Sequence, residues 1–215
     1  MVIEPDDLEV VEKRKSFEII LGQPPEPIKK FNQPKMLEDE GRSYVDAAPA
    51  FPNTYLEEVY LSERAVDDMM KHLKKYRKEH GGFLLGKVMI TNRGLTTVIY
   101  EAVPAVGAIS ESTRVIMHPE TWIEAMVRLD TLREKGVTEA TLVGWYHSHP
   151  FGSPNSIFLS SMDLEVMSRA FRYPYHVAVV IEPMTESRGL FGWRKGRVEL
   201  IPESYIFRGD WLDGW

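Results

Sequence analysis

From residue 55 onward the apolar residues recur at regular intervals. Ser62 has the character of a helix N-cap, and Val66, Met69, Met70, Leu73 and Tyr76 follow it at helical spacing, which predicts a helix from residue 62 to about residue 77. Residues 81–90 form an almost unbroken apolar run, the pattern of a buried strand, and residues 96–103 read as its neighbour across the turn Thr91-Asn92-Arg93-Gly94. Pro119 is a favoured first helical residue and opens a second predicted helix, with Trp122, Met126, Leu129 and Leu132 on its inner face. Residues 140–149 read as a strand, 161–171 as a short helix and 176–182 as another strand. Residues 190–201 read as a hairpin turning near Lys195-Gly196. Helices alternating with strands in this way predict an α/β or α+β domain, a mixed sheet flanked by helices.

The first part of the chain is different. Seven of the fourteen prolines fall within the first 52 residues. Residues 16–21 could form one strand, but Gln23-Pro24-Pro25-Glu26-Pro27 cannot extend it, because proline fixes φ and lacks the amide donor. The chain therefore divides into a proline-rich N-terminal extension, residues 1–54, and a domain, residues 55–215. The extension is either a linker or an arm that docks on a partner protein or on the domain's own edge strand.

Composition narrows the function. A hydrophobic content of 43% with 27% charged residues is that of a globular domain. The net charge of −6 argues against a nucleic-acid partner, which calls for a basic patch. The basic run Lys71-His72-Leu73-Lys74-Lys75-Tyr76-Arg77-Lys78 reads as the solvated face of one helix. The absence of cysteine excludes disulfides, thiol catalysis and cysteine-ligated zinc, and fits a reducing compartment. No run approaches the ~18 apolar residues of a membrane span. The acidic N-terminus lacks the apolar core of a secretory signal. The expectation is a cytoplasmic protein without membrane or nucleic-acid partners.

Chemistry concentrates in Gly144-Trp145-Tyr146-His147-Ser148-His149-Pro150 and the later Ser160-Ser161-Met162-Asp163. On a strand, residues two apart share a face, so His147 and His149 project together while Tyr146 and Ser148 face the other way. Pro150 ends the strand and leaves the pair at its tip. Neutral imidazole is a common zinc ligand. Ser160-x-x-Asp163 also matches a helix-capping arrangement, which taken alone is the plainer explanation. A helix starting there can nevertheless turn Asp163 back toward the histidines. Two nitrogens and one carboxylate oxygen suit Zn²⁺ and leave a fourth position open for water, the arrangement of a hydrolase. Such a site needs a general base that is not itself a ligand. Glu79 is the candidate from the layout, at the junction of the first predicted helix and the buried strand, although on pattern alone a solvated helix-end glutamate is the plainer explanation.

Glu79-x-x-Gly82-x-Leu84-x-Gly86, Gly144 to Pro150, and Phe158-Leu159-Ser160-x-x-Asp163 together resemble the JAMM (MPN-plus) metalloprotease family, over about residues 55–201. The resemblance implies a cytidine-deaminase-like MPN fold, with zinc on His147, His149 and Asp163. It implies Glu79 as the base for the attacking water and Ser160 as the donor to the tetrahedral oxyanion. It implies hydrolysis of the bond after the C-terminal Gly-Gly of ubiquitin or a ubiquitin-like protein, by deconjugation or precursor processing. A sulfur-carrier tail-processing protease and a non-catalytic MPN scaffold in a protein complex are the alternatives. Deamination does not fit, because the deaminase His-x-Glu and Pro-Cys-x-x-Cys are absent. One departure stands out: ten residues separate His149 from Ser160, where the family has seven. The extra residues are expected to lengthen the loop at residues 151–156.

Overall fold

Pairing organises the chain into one ten-stranded sheet in the order β1-β12-β3-β5-β4-β8-β9-β10-β11, with β2 joining β4. The computed structural model describes residues 29–31, 42–43, 55–91, 93–105, 109–111, 114–116, 119–201 and 203–208. In chain order the elements are β1 (Lys29–Phe31), β2 (Arg42–Ser43), β3 (Leu56–Ser62), α1 (Glu63–Leu73), β4 (Gly81–Thr91) and β5 (Gly94–Pro104). There follow β6 (Ile109–Glu111), β7 (Arg114–Ile116), α2 (Pro119–Glu134), β8 (Thr141–Ser148), a 3₁₀ turn (Pro154–Ser156) and α3 (Ser161–Arg169). The chain continues through β9 (Val177–Glu182), β10 (Ser187–Arg194), β11 (Arg197–Leu200) and β12 (Glu203–Phe207). β6 and β7 form a separate two-stranded sheet.

The central strands are buried on both faces, which is why β4 and β5 read as apolar runs rather than alternating ones. One core lies between α1 and the face carrying Val59, Leu61, Leu84, Ile99 and Tyr146. The other lies under α2 and α3, against Phe83, Leu85, Val98, Tyr100 and Trp145. The sheet curls, so that β10 comes back against β3. There Gly192 leaves room for Leu56, whose Cδ2 would lie 2.6 Å from an added Cβ. No helix among the described residues is long and apolar enough to cross a membrane.

Several sequence expectations hold. Ser62 caps α1, accepting from the Ala65 amide at 3.0 Å, and its hydroxyl donates to the Tyr100 carbonyl at 2.7 Å. Pro119 opens α2, and the β10–β11 hairpin turns at Lys195 and Gly196, both at positive φ (47° and 77°). Others are corrected. α1 ends at Leu73, so Glu79 lies in an extended link before β4 rather than at a helix end. His72, assigned to the solvated basic face, is buried. Met126 is 41% exposed, and the inner face of α2 is Thr121, Ala125, Leu129 and Leu132 with Trp122 packed alongside. β3 and β12 were not anticipated. The strand expected at residues 16–21 lies outside the described residues, as does most of the extension. Of the extension, β1 pairs parallel with β12 and β2 pairs antiparallel with β4.

Tyr146 explains the glycine at position 82, beside the site. Its hydroxyl hydrogen-bonds Nδ1 of His72 at 2.9 Å. A Cβ on Gly82 would lie 2.9 Å from that hydroxyl and 2.1 Å from the Val103 carbonyl oxygen, so any side chain must push the strands apart. Gly82→Ala is expected to cost about 1–3 kcal/mol or more, read as a lower midpoint in urea unfolding.

Burial, reinforced by the charges of His80 and Lys75, lowers the pKa of His72 to about 4, and burial lowers His176 to about 4 as well. The folded values lie below the ordinary 6.5, so the unfolded chain takes up these protons first. Stability from this source is full above pH 6.5 and is lost as pH falls from there toward about 4. In His72→Gln the slope of unfolding free energy over that window is expected to drop by up to about 1.4 kcal/mol per pH unit, measured by urea titration at each pH. An unchanged slope would show that His72 is not held neutral.

Candidate metal centre

β8 and the residue that follows it supply two of the three clustered groups. Tyr146 packs in the α1 core and Trp145 in the opposite one, so the alternation sends His147 and His149 to Trp145's side. The His147 ring stacks on Trp145 with centroids 4.4 Å apart and planes at 9°. His149 follows the last residue of the strand, and its amide donates to the Ile181 carbonyl of β9 at 2.9 Å. Its ring is closed in by Phe151 and Phe158, at centroid distances of 5.5 and 4.9 Å.

α3 supplies the third. Ser160 and Asp163 form a complete capping box: the serine hydroxyl accepts from the Asp163 amide at 3.2 Å, and the Asp163 carboxylate accepts from the Ser160 amide at 2.7 Å. Asp163 and Met167, four residues apart, share the buried face of the helix. Met167 packs against β8, where the Trp145 indole N–H donates to its sulfur at 3.3 Å. Trp145 thus both backs His147 and seats the helix that brings in Asp163.

The three side chains converge. Nε2 of His147 and Nε2 of His149 are 3.1 Å apart, and the Asp163 oxygens lie 3.4 Å from the first and 3.7 Å from the second. One ligand atom from each lies within 4.8 Å of the others. Nδ1 of His149 meets the Ser156 carbonyl at 2.7 Å. A carbonyl only accepts, so Nδ1 carries the proton and Nε2 of the neutral ring presents its lone pair to the cluster. Two imidazole nitrogens facing each other beside a carboxylate need a shared proton or a cation between them. The donor set fits a divalent metal with nitrogen and oxygen preference.

Electrostatics point the same way. Burial would raise the Asp163 carboxyl, but the two histidines and the Ser160 contact outweigh it and hold the group ionised far below the usual range. Burial lowers His147 and keeps it neutral, against the pull of Asp163. In His149 burial is outweighed by contact with Asp163 and with the Ser156 carbonyl, and the pKa rises. Glu79 is half-buried, and burial raises it, with His149 opposing and Asp163 adding to the shift. No hydrogen bond or ion pair engages the Glu79 carboxylate among the described residues. A free carboxylate of raised pKa, within electrostatic reach of two ligands, is suited to taking up a proton.

A model described as prokaryotic homologs of the JAB domain matches residues 62–194. The chain belongs to the JAB (JAMM/MPN) family. This family includes metalloisopeptidases. COP9 signalosome complex subunit 5 of Debaryomyces hansenii is 32% identical to the chain over 156 residues, 70% of this chain and 30% of that protein. The subunit of the same name from Candida albicans is 30% identical over 153 residues, 68% of this chain and 22% of that one. The chain thus spans less than a third of the length of these curated relatives. Protein DSY2949 from Desulfitobacterium hafniense, solved in solution, shares the fold at a TM-score of 0.51 and 20% identity, over 71% of this chain and 94% of that one.

The JAB fold brings His147, His149 and Asp163 into one cluster, sets Ser160 at the cap beside them and places Glu79 close by. Capping and clustering are not alternatives for Ser160 and Asp163: both occur in the same four residues. The hydroxyl of Ser160 accepts from the Asp163 amide and also contacts the Asp163 carboxylate. The added loop residues are taken up before Ser160, in a stretch containing the 3₁₀ turn Pro154–Ser156. The Ser156 carbonyl, which orients His149, was not found from the sequence, because a backbone acceptor has no residue-type signature. Trp145 could have been found, since it stands two residues before His147 on the same face.

Asp163→Asn separates the two duties of this residue, because an amide oxygen can still accept from the Ser160 amide but carries no charge for a cation. The variant is expected to stay folded, with unfolding free energy within about 1 kcal/mol of the parent. Its divalent-metal content after dialysis should fall from about one per chain to near zero by elemental analysis. The parent should lose metal as pH falls, because protons compete for His149.

Proposed function

We propose that this JAB domain is a zinc-dependent isopeptidase or peptidase that hydrolyses the bond after the C-terminal Gly-Gly of ubiquitin or a ubiquitin-like protein. The observation that carries the proposal is the unengaged, half-buried carboxylate of Glu79 beside the His147, His149 and Asp163 cluster. A structural ion site needs only the ligands; a free base of raised pKa next to them is what hydrolysis adds. The complete ligand set also speaks against the non-catalytic scaffold.

In this scheme His147, His149 and Asp163 would hold zinc, which when bound would supply Lewis acidity toward water and the scissile carbonyl. Glu79 takes a proton from the attacking water and passes it to the departing amine. Ser160 turns its hydroxyl to donate to the oxyanion that develops on the carbonyl oxygen. Phe151 and Phe158 pack around His149 and keep bulk water from its ring. The cysteine-free chain fits a cytoplasmic setting. The extension offers a contact for a partner protein.

The test is incubation of the zinc-loaded protein with ubiquitin-like proteins carrying C-terminal extensions, read by intact mass. A cut immediately after Gly-Gly is expected. A precursor tail cut while isopeptide-linked conjugates survive would favour sulfur-carrier tail processing. Glu79→Gln should keep about one zinc per chain and lose about 10²–10⁴-fold in turnover. Ser160→Ala should lose about 10²–10³-fold with metal retained. Parental turnover in Glu79→Gln would remove Glu79 from the mechanism.

A further inference from the structure

Among the described residues no hydrogen bond or ion pair holds the Glu79 carboxylate, so its aim depends on its backbone, and that backbone is tied down at one unusual place. In an antiparallel ladder, residues of a hydrogen-bonded pair exchange two main-chain bonds. Gly81 is paired with His147, and one step further His80 faces Ser148. The Ser148 amide donates to the His80 carbonyl at 2.9 Å in the ordinary way. The return bond differs: the His80 amide donates to the Ser148 hydroxyl at 3.1 Å, and that hydroxyl lies 3.4 Å from the His80 carbonyl. A side chain has taken the place of a main-chain acceptor.

We infer that Ser148 is a positioning residue that aims Glu79 at the metal centre. Its hydroxyl closes the β4–β8 ladder at His80 without using the Ser148 carbonyl. β8 then ends at Ser148, and the His149 amide continues the pairing with β9 before Pro150. On the other strand the same bond clamps His80, the residue directly after Glu79. Two further contacts complete the clamp. The His80 ring stacks on Tyr76, with centroids 3.6 Å apart and planes at 5°, and its Nδ1 lies 3.1 Å from the Lys78 carbonyl. Ser148 is 1% exposed and faces away from the ligands, so it acts through Glu79 and not on substrate. The residue between the two histidines thereby couples the ligand strand to the base.

This inference rests on the proposed role of Glu79, and its test separates the two. Ser148→Ala and Ser148→Thr are made in the full chain and loaded with zinc. Three properties are measured: amide exchange of His80, the Glu79 position in crystals, and kcat and KM on an extended ubiquitin-like protein. In Ser148→Ala the His80 amide should exchange at least ~10-fold faster. Zinc should stay at one per chain, the Glu79 carboxylate should move from its place beside His149 and Asp163, and kcat should fall about 10- to 100-fold at unchanged KM. Ser148→Thr retains a hydroxyl and should restore all of these. Parental His80 exchange in Ser148→Ala, an unmoved Glu79, a parental kcat, or failure of threonine to rescue would each overturn the inference. If the parent cuts nothing, the hydrolase proposal fails, while the exchange and crystal measurements still decide whether Ser148 holds Glu79.

Discussion

Where β4 pairs with β8, Gly81 lies opposite His147, and the candidate site is assembled outward from that contact. Strand alternation has a period of two, so a slip of one residue would exchange the faces of every side chain on β8. His147 would then turn into the α1 core and Tyr146 into the core beneath α2. The register is defended from both sides: Trp145 and Tyr146 are each almost wholly buried in different cores, and Gly81 and Gly82 leave no room for other neighbours. The same register carries the chain from β4 back to His80 and Glu79, which is how a residue about seventy positions upstream comes to stand beside the histidines.

The second dependence runs through Asp163. A buried carboxylate is costly unless its oxygens are engaged. Here one oxygen is claimed by the Ser160 amide and both lie near imidazole nitrogens. The helix cap therefore does more than start α3: it fixes the carboxylate that faces the cluster. Trp145 ties this helix to the histidine strand through Met167, so ligand placement follows from core packing rather than from loop conformation.

The lengthened loop after His149 belongs to the site. Its 3₁₀ turn is held by the Ser156 hydroxyl, which donates to the Ser153 carbonyl at 2.6 Å, and its last carbonyl sets the tautomer of His149. The Glu182 carboxylate binds the loop beyond β9 through the Met184 and Thr185 amides and reaches the backbone of Gly152. The loop after His149 and the turn beyond β9 are thus joined by one buried acid.

Much of this was legible in the residues. The apolar runs of β4 and β5, the proline opening α2, the Lys195-Gly196 turn, the His-x-His spacing and the Ser160 capping box are local patterns with local causes, and each appears where it was expected. The length of α1 was misjudged because Tyr76 keeps helical spacing after the helix has ended at Leu73 and stacks instead on His80. His72 carries the same letters on a basic surface as in a buried bond to Tyr146, and only the fold separates the two. By itself the sequence determined which faces are apolar and which residue types could hold a metal and move a proton, because period and side-chain chemistry are written residue by residue. The tertiary structure alone decided that Ser148 would clamp His80 and that a carbonyl at Ser156 would orient His149. Those contacts use backbone groups, which every residue carries alike, and their partners are chosen by long-range pairing.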